Sequence, residues 1–160
     1  QLANGKLLNQ LVKKTIVYNF RNNEFGGVLG LSQLPRLDDM IQRRREICDK
    51  FVSILKKYDD TFHIPNFDGN SSFCLPFIVK DRSLRGDLQE HLETCGIETR
   101  PLCSGNLLRQ PFLSEYEPFK EFPKVDYLHY HGFFIGNNHL ITDDEIQKLG
   151  FILDDYLRVL

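Results

Sequence analysis

Apolar residues return every three or four positions between Leu37 and Tyr58, which predicts the longest helix of the chain. Pro35 suits the first turn of this helix, where its missing N–H is not needed. Asp38 and Asp39 favour the N-terminal end of the helix through its dipole. The predicted apolar stripe consists of Leu37, Met40, Ile41, Ile47, Cys48, Phe51, Ile54, Leu55 and Tyr58.

Two further stretches show the same period. Thr142 and Glu145 form a capping box that opens a C-terminal helix. Its predicted apolar face consists of Ile146, Leu149, Ile152, Leu153, Tyr156, Leu157 and Leu160. Residues 23–34 predict an earlier helix, in which Gly26 and Gly27 allow either a close ligand or tight helix packing. The sequence leaves both readings of these glycines open.

The middle of the chain predicts a small sheet with a helix laid across it. Residues 63–72 are rich in turn formers and predict a loop, and residues 73–80 follow as a strand. Pro76 places this strand at an edge or a bulge. Ser83 is suited to cap a helix that Gly96 would end.

The segment IETRPL (97–102) predicts a second strand, and GFFIG (132–136) a third, after a short helix through KVDYLHYH. Residues 103–123 hold several prolines and form an irregular excursion whose aromatic content argues against disorder. The fold class expected is therefore α/β, an α+β domain with a small sheet.

Composition narrows the function classes. The 160 residues fit one domain, and 41% apolar with 26% charged residues is ordinary for a globular protein. A net charge of -2 and a pI near 6.2 give no footprint for nucleic acid. No apolar run reaches the roughly 20 residues needed to span a bilayer, so we expect no membrane partner and a cytoplasmic location. The start at QLANGKLLNQ, without an initiator Met, leads us to expect a processed or truncated chain.

Metal binding is not expected from the cysteines and histidines. The four cysteines form no CxxC pair, so we expect reduced, mostly buried thiols. His129 and His131 would point to one face if they lay on a strand, but no second ligand pair has a familiar spacing. The run of Arg43, Arg44 and Arg45 spans nearly a full helical turn and is expected to be a solvated flank.

Polar side chains that could meet a ligand cluster beside turns and strand ends in three places. They are Tyr18, Asn19 and Arg21; Arg100, Ser104, Gly105, Asn106 and Arg109; and His131, Gly136, Asn137 and Asn138. Asparagine and arginine together suit phosphates and sugar hydroxyls, although Asn beside Gly also serves ordinary turn chemistry. No nucleophile motif, P-loop or dinucleotide fingerprint is present. These residues alone define an α/β domain of unknown purpose.

Two blocks of sequence carry a family resemblance. YNFRNNEFGGVLGLSQLPRLDDMIQRRREICDKF resembles the segment that joins the large and small domains of DegT-type (DegT/DnrJ/StrS) sugar aminotransferases. GIETRPLCSGNLLRQPFL is similar to the family's Gly-Ile-x-x-Arg-Pro strand and the loop after it. The Gly-Asn pair of that loop and the later GFFIGNN resemble the branch that contains nucleotide-sugar 3-dehydratases. The resemblance runs from Tyr18 to the C-terminus.

The resemblance implies a pyridoxal-phosphate enzyme with the aspartate-aminotransferase-like fold (fold type I) that acts as a homodimer. It implies that residues 1–34 are the end of the large domain with the linking segment, and residues 35–160 the C-terminal small domain. In typical members a lysine forms the Schiff base with the cofactor, and the 3-dehydratase branch has a histidine there. That position lies upstream, so we expect no catalytic residue in this chain.

The resemblance also assigns binding residues. Asn19 resembles the residue that reaches the partner subunit's cofactor phosphate, and Arg21 belongs to the same element. Val17 stands where the family usually has glycine, which leaves the placing of Asn19 open. The implied substrate-binding residues are Arg100, Ser104, Gly105, Asn106, His131 and Asn137. As alternatives, Asn19 caps the following helix and Arg100 forms a surface ion pair.

The implied function is that of a sugar-nucleotide aminotransferase or 3-dehydratase. It would act on a nucleotide-linked keto- or deoxysugar, in deoxy- or aminosugar supply for a surface polysaccharide such as lipopolysaccharide. This part alone is expected to be inactive. The alternative is a stand-alone, non-catalytic binding or dimerisation module derived from the family. The sequence leaves open the choice between amino transfer and dehydration, the nucleotide and the sugar.

Overall fold

The fold, taken from a computed structural model, is described for residues 23–102, 105–113 and 121–158. Its helices are α1 (Glu24–Gln33), α2 (Leu37–Leu55), α3 (Leu84–Thr94), α4 (Pro123–His131) and α5 (Asp143–Leu157). Its strands are β1 (Cys74–Ile78), β2 (Thr99–Pro101) and β3 (Gly132–Gly136). Short 3₁₀ turns cover Leu34–Arg36, Lys56–Tyr58, Leu107–Arg109 and Pro111–Leu113.

The three strands form an antiparallel sheet in the order β1–β3–β2. The central strand β3 pairs Ile135 with both Leu75 of β1 and Thr99 of β2. Among the described strands β1 is therefore an edge, which accommodates the missing N–H of Pro76 opposite Phe134. The predicted edge position of Pro76 is confirmed.

The core lies between one face of the sheet and helices α2, α3 and α5. Alternate strand residues point into it, so that the rings of Phe77 and Phe133 stack with centroids 4.9 Å apart. Phe51 of α2 meets Phe77 edge-on at 5.1 Å. The fully buried side chains are Phe51, Phe62, Phe77, Phe133, Ile47, Leu55, Leu75, Leu88, Leu92, Leu153, Val79 and Cys48. The predicted α+β organisation, a small sheet packed with helices, is confirmed.

The helix ends test the predicted caps. The capping box of Thr142 and Glu145 is present at the start of α5, and Gly96 ends α3 with a φ of +83°. The capping role predicted for Ser83 is wrong, because its backbone is helical and its side chain makes no cap hydrogen bond. Instead, the carboxylate of Asp81 accepts the N–H of Ser83 at 2.9 Å and turns the chain into the helix.

The arginine run of α2 is less solvated than predicted, since Arg43 and Arg44 are half-buried while Arg45 is exposed. Arg43 donates to the carbonyl of Ile141 at 2.7 Å, and Arg44 Nε donates to the carbonyl of Ser71 at 3.1 Å. Arg45 Nε donates to a third carbonyl, that of Asn70, at 2.8 Å. Arg43 thus ties the helix to the loop before α5, and Arg44 and Arg45 both tie it to the loop before β1.

Helix α1 presents apolar side chains to the outside. None of its residues is buried, and Phe25 and Leu31 are 80% and 74% exposed. A Cβ added at Gly27 would meet no atom within 4 Å. Within the described part of the chain, this face therefore has nothing packed against it. No described helix has the length and apolar character that a bilayer crossing requires.

Candidate functional site

The predicted site residues divide between described and undescribed parts of the chain. Asn19, Arg21 and Ser104 lie outside the described residues. The remaining ones lie on β2, on the loop after it, and at the two ends of β3: Arg100, Gly105, Asn106, His131 and Asn137.

Residues 105–109 follow β2 and lie against α4, and we term them the anchored loop. Gly105 begins it with a φ of +67°, a conformation that favours glycine. The N–H of Gly105 donates to the carbonyl of Leu102 at 2.6 Å. A Cβ on Gly105 would lie 2.0 Å from Nδ1 of His129. Glycine is therefore required here both by the backbone angle and by the imidazole packed against it.

Asn106 fastens the anchored loop to α4 from a buried position, with 5% of its surface exposed. Its Nδ2 donates to Oδ1 of Asp126 at 2.8 Å, and its Oδ1 accepts the N–H of Leu108 at 3.0 Å. The backbone N–H of Asn106 donates to His129 Nδ1 at 3.1 Å. Because that nitrogen acts as an acceptor, the neutral His129 ring carries its proton on Nε2.

Arg109 closes the other end of the anchored loop onto the same carboxylate. Its Nε and Nη2 donate to Oδ1 and Oδ2 of Asp126, both at 2.9 Å, in a bidentate pair. Hydrogen bonds from Arg109 and then from Asn106 lower the pKa of Asp126 to about 2. The same pair raises the pKa of Arg109 above its ordinary value. Asp126 was not singled out from the sequence, because nothing local links residues 17 positions apart.

His131 and Asn137 lie at opposite ends of β3, about 20 Å apart along an extended strand. His131 Nδ1 donates to the carbonyl of Val79 at 2.8 Å, and its ring stacks on Tyr127 with centroids 3.9 Å apart. Asn137 is 7% exposed, and its Nδ2 donates to the carbonyls of Ser72 and Arg44 at 2.7 and 2.9 Å. The described chain therefore does not bring these two predicted residues together.

The HxH pair lies on α4 and not on a strand, so His129 and His131 do not share a face. His129 faces the anchored loop, while His131 faces the carbonyl of Val79. No group of three or more metal-ligating side chains occurs among the described residues.

Arg100 stands exposed on β2 and pairs with Glu98, with 66% and 74% of their side chains exposed. Such a pair contributes little to stability, as the surface-pair alternative for Arg100 supposes. Both residues border a half-open cavity of about 420 Å³ whose other walls include Phe134 and Ile97.

The fold and these blocks of sequence define a family. The model of the DegT/DnrJ/EryC1/StrS aminotransferase family matches residues 3–153. The chain belongs to this family, and the resemblance given above is confirmed.

Particular relatives refine the comparison. The chain is 34% identical over 142 residues to a GDP-4-keto-6-deoxy-D-mannose 3-dehydratase of Escherichia coli O55:H7. This alignment covers 85% of this chain and 36% of the relative. It is 32% identical over 94 residues to a GDP-perosamine synthase of Escherichia coli O157:H7. That alignment covers 54% of this chain and 24% of the relative. The chain thus spans about a third of the length of the first of these curated relatives, and less of the second.

A solved structure carries the same fold. The E. coli GDP-4-keto-6-deoxy-D-mannose 3-dehydratase with bound hydrated PLP superposes with a TM-score of 0.74 at 29% identity. The superposition covers 94% of this chain and 40% of that one. The fold is that of part of a fold type I enzyme, in agreement with the fold class expected from the sequence.

Proposed function

We propose that this chain is the C-terminal part of a pyridoxal-phosphate enzyme that acts on a nucleotide-linked keto- or deoxysugar. The reaction is amino transfer or removal of the C3 hydroxyl, in deoxy- or aminosugar supply for a surface polysaccharide. The identity of 34% over 85% of the chain with a sugar-nucleotide 3-dehydratase carries this proposal. We also propose that the complete enzyme is a soluble cytoplasmic homodimer with a site shared across its interface.

The division into domains is part of the proposal. Residues 1–34 are the end of the large domain with the linking segment, and residues 35–160 form the small domain. The exposed apolar face of α1, with Phe25 at 80% and Leu31 at 74% exposure, supports a covering by the remainder of the enzyme. The isolated 160-residue chain is then expected to self-associate and to bind a hydrophobic dye. Absence of both in light scattering and fluorescence would favour the stand-alone module instead.

For the cofactor we propose Asn19 and Arg21 as ligands of the phosphate in the partner subunit. An amide and a guanidinium group have the donors that a phosphate requires. When bound, the cofactor supplies an electron sink for the sugar carbon at which bonds change. The described lysines lie at the surface or only half-buried, which supports a Schiff-base position outside the described residues.

For the substrate we propose that the implied residues act in two ways. Arg100, Ser104 and Gly105 meet the nucleotide-linked sugar, Arg100 through its exposed guanidinium group and Gly105 through its backbone. His131 holds its proton on Nδ1 against the carbonyl of Val79, which leaves Nε2 of the neutral ring as an acceptor. Asn106 and Asn137 use their side-chain donors on the protein itself and contribute by shaping the site.

The test uses the complete polypeptide, reconstituted with pyridoxal phosphate and examined by its visible spectrum and its intact mass after borohydride reduction. A yellow protein that gains the cofactor's mass has a Schiff-base lysine, which indicates amino transfer. A yellow protein whose mass is unchanged after denaturation indicates the 3-dehydratase. A colourless protein that cannot be reconstituted would refute the proposal and favour a binding or dimerisation module.

A further inference from the structure

We propose that Asp126 is a positioning residue, which holds the anchored loop in the conformation that binds the nucleotide-linked sugar. This inference rests on the proposed function, since it takes the loop that begins at Gly105 as part of the substrate site. Asp126 itself touches neither substrate nor cofactor in this role. It acts through Asn106 and Arg109.

The geometry places one carboxylate against both ends of the anchored loop. Asn106 at its start donates one hydrogen bond to Asp126, at 2.8 Å, and Arg109 at its end donates two, at 2.9 Å. Asp126 lies in the first turn of α4, where the helix dipole also favours a negative charge. The carboxylate is thus held in its charged form and is bonded to both ends of the loop. We term this arrangement of Asp126, Asn106 and Arg109 the clamp.

Apart from Asp126, the anchored loop is held at its start by the N–H of Asn106 on His129 Nδ1 and by the N–H of Gly105 on the carbonyl of Leu102. Its internal backbone bonds are those of a single 3₁₀ turn, with the N–H of Arg109 donating to the carbonyl of Asn106 at 2.9 Å. Such turns are weak on their own. Its apolar residue Leu107 is 54% exposed and adds little burial. Asp126→Asn would keep one acceptor oxygen for Asn106 but would remove the negative charge and set an amide NH2 against Nη2 of Arg109, which favours opening of the loop.

Disorder of the loop would weaken substrate binding more than it would slow the chemical step. Binding sites need their groups held to within about 0.5 Å. Gly105, which begins the loop, offers the backbone that the substrate would meet. A loop that must be ordered on each binding event lowers the apparent affinity by the fraction of molecules that are correctly folded. KM therefore rises while kcat is retained.

The experiment compares Asp126→Asn, Asp126→Glu and Asp155→Asn in the complete polypeptide loaded with pyridoxal phosphate. Asp155→Asn is the matched control, since it removes the same charge from an exposed position of α5. Steady-state kinetics use GDP-4-keto-6-deoxy-D-mannose as the probe, and hydrogen–deuterium exchange follows the amides of residues 106–109. For Asp126→Asn we expect KM to rise roughly tenfold, kcat to stay within roughly twofold, and exchange in the loop to accelerate. Asp126→Glu keeps the charge and is expected to recover part of the lost affinity, while the control behaves as the wild type.

The possible outcomes distinguish the positioning role of Asp126 from the proposed function on which it rests. Faster exchange in Asp126→Asn with an unchanged KM would overturn the positioning role and leave the proposed function standing. Unchanged exchange would overturn the clamp itself. A wild-type enzyme that binds and converts no nucleotide-linked sugar would refute the proposed function, and the positioning role with it. If Asp126→Asn does not fold, Arg109→Lys weakens the same clamp by replacing a fork with a single charge, and the same two readouts decide.

Discussion

Replacing Asn137 by alanine tests how the sheet is joined to its surroundings. The side chain of Asn137 is 7% exposed, and its Nδ2 donates to the carbonyls of Ser72 and Arg44. The backbone N–H of Asn137 donates to the carbonyl of Phe73 at 3.1 Å. One residue after β3 thus holds both the loop before β1 and helix α2.

The magnitude follows from the groups left behind by Asn137→Ala. Ser72 is 3% exposed, so its carbonyl would be buried without this donor, a loss of about 1–3 kcal/mol. The carbonyl of Arg44 is half-buried and adds about 0.5–1 kcal/mol. We therefore expect the free energy of unfolding to fall by about 2–4 kcal/mol. Urea unfolding of the complete polypeptide, with hydrogen exchange at residues 70–73 as a local readout, measures this loss.

The neighbouring residue provides the control. Asn138 is exposed, and its Oδ1 accepts only the N–H of Leu140, at 3.0 Å, among the contacts seen. Asn138→Ala is expected to reduce the free energy of unfolding by about 0.5–1 kcal/mol. Asn137→Asp should be worse than Asn137→Ala near neutral pH, because a carboxylate would face two carbonyl oxygens. Equal losses for the alanine variants, within about 0.5 kcal/mol, would refute the reasoning.

Three further outcomes are expected. Phe77→Ala removes the ring that Phe51 and Phe133 contact and should lower the free energy of unfolding by about 3–5 kcal/mol in urea titrations; a loss below about 1 kcal/mol would contradict the core described here. Hydrogen bonds lower the pKa of Asp126 to about 2, so the stabilisation by its carboxylate is complete at pH values above about 3.8 and is lost as the pH falls towards about 2; a carboxyl NMR titration measures that pKa. Burial raises the pKa of the Cys48 thiol, so iodoacetamide should modify it far more slowly than free cysteine at neutral pH, and equal rates would contradict its burial.

The long helices were predictable because their stability comes from a repeated buried face. Ile47, Phe51 and Leu55 recur on α2 at the helical period, and the structure buries all three. The same reasoning found α1 from the spacing of its apolar residues, yet none of them is buried in the described chain. Periodicity therefore locates a helix and its apolar face. It does not say which surface covers that face.

The arginines of α2 show where sequence patterning stops. Three successive charges at a helix surface predict solvation, since charged side chains prefer water. Arg44 and Arg45 instead donate to the carbonyls of Ser71 and Asn70, which lie in a loop some 25 residues further along. Guanidinium groups satisfy loop carbonyls wherever the fold brings them near, and this proximity is a property of the tertiary structure. No local rule could have supplied it.

The Gly-Asn pair of the anchored loop likewise shows that residues predicted to bind a ligand can have structural roles within the protein. Gly105 is needed for a positive φ and for the close approach of His129, and both requirements are internal to the protein. The side-chain Nδ2 of Asn106 donates to Asp126, and its Oδ1 accepts the N–H of Leu108. In the described chain, this motif therefore marks the place where the anchored loop is fastened to α4. Under the proposed function the substrate would contact the backbone around Gly105, and the position of that backbone depends on the carboxylate of Asp126 through Asn106.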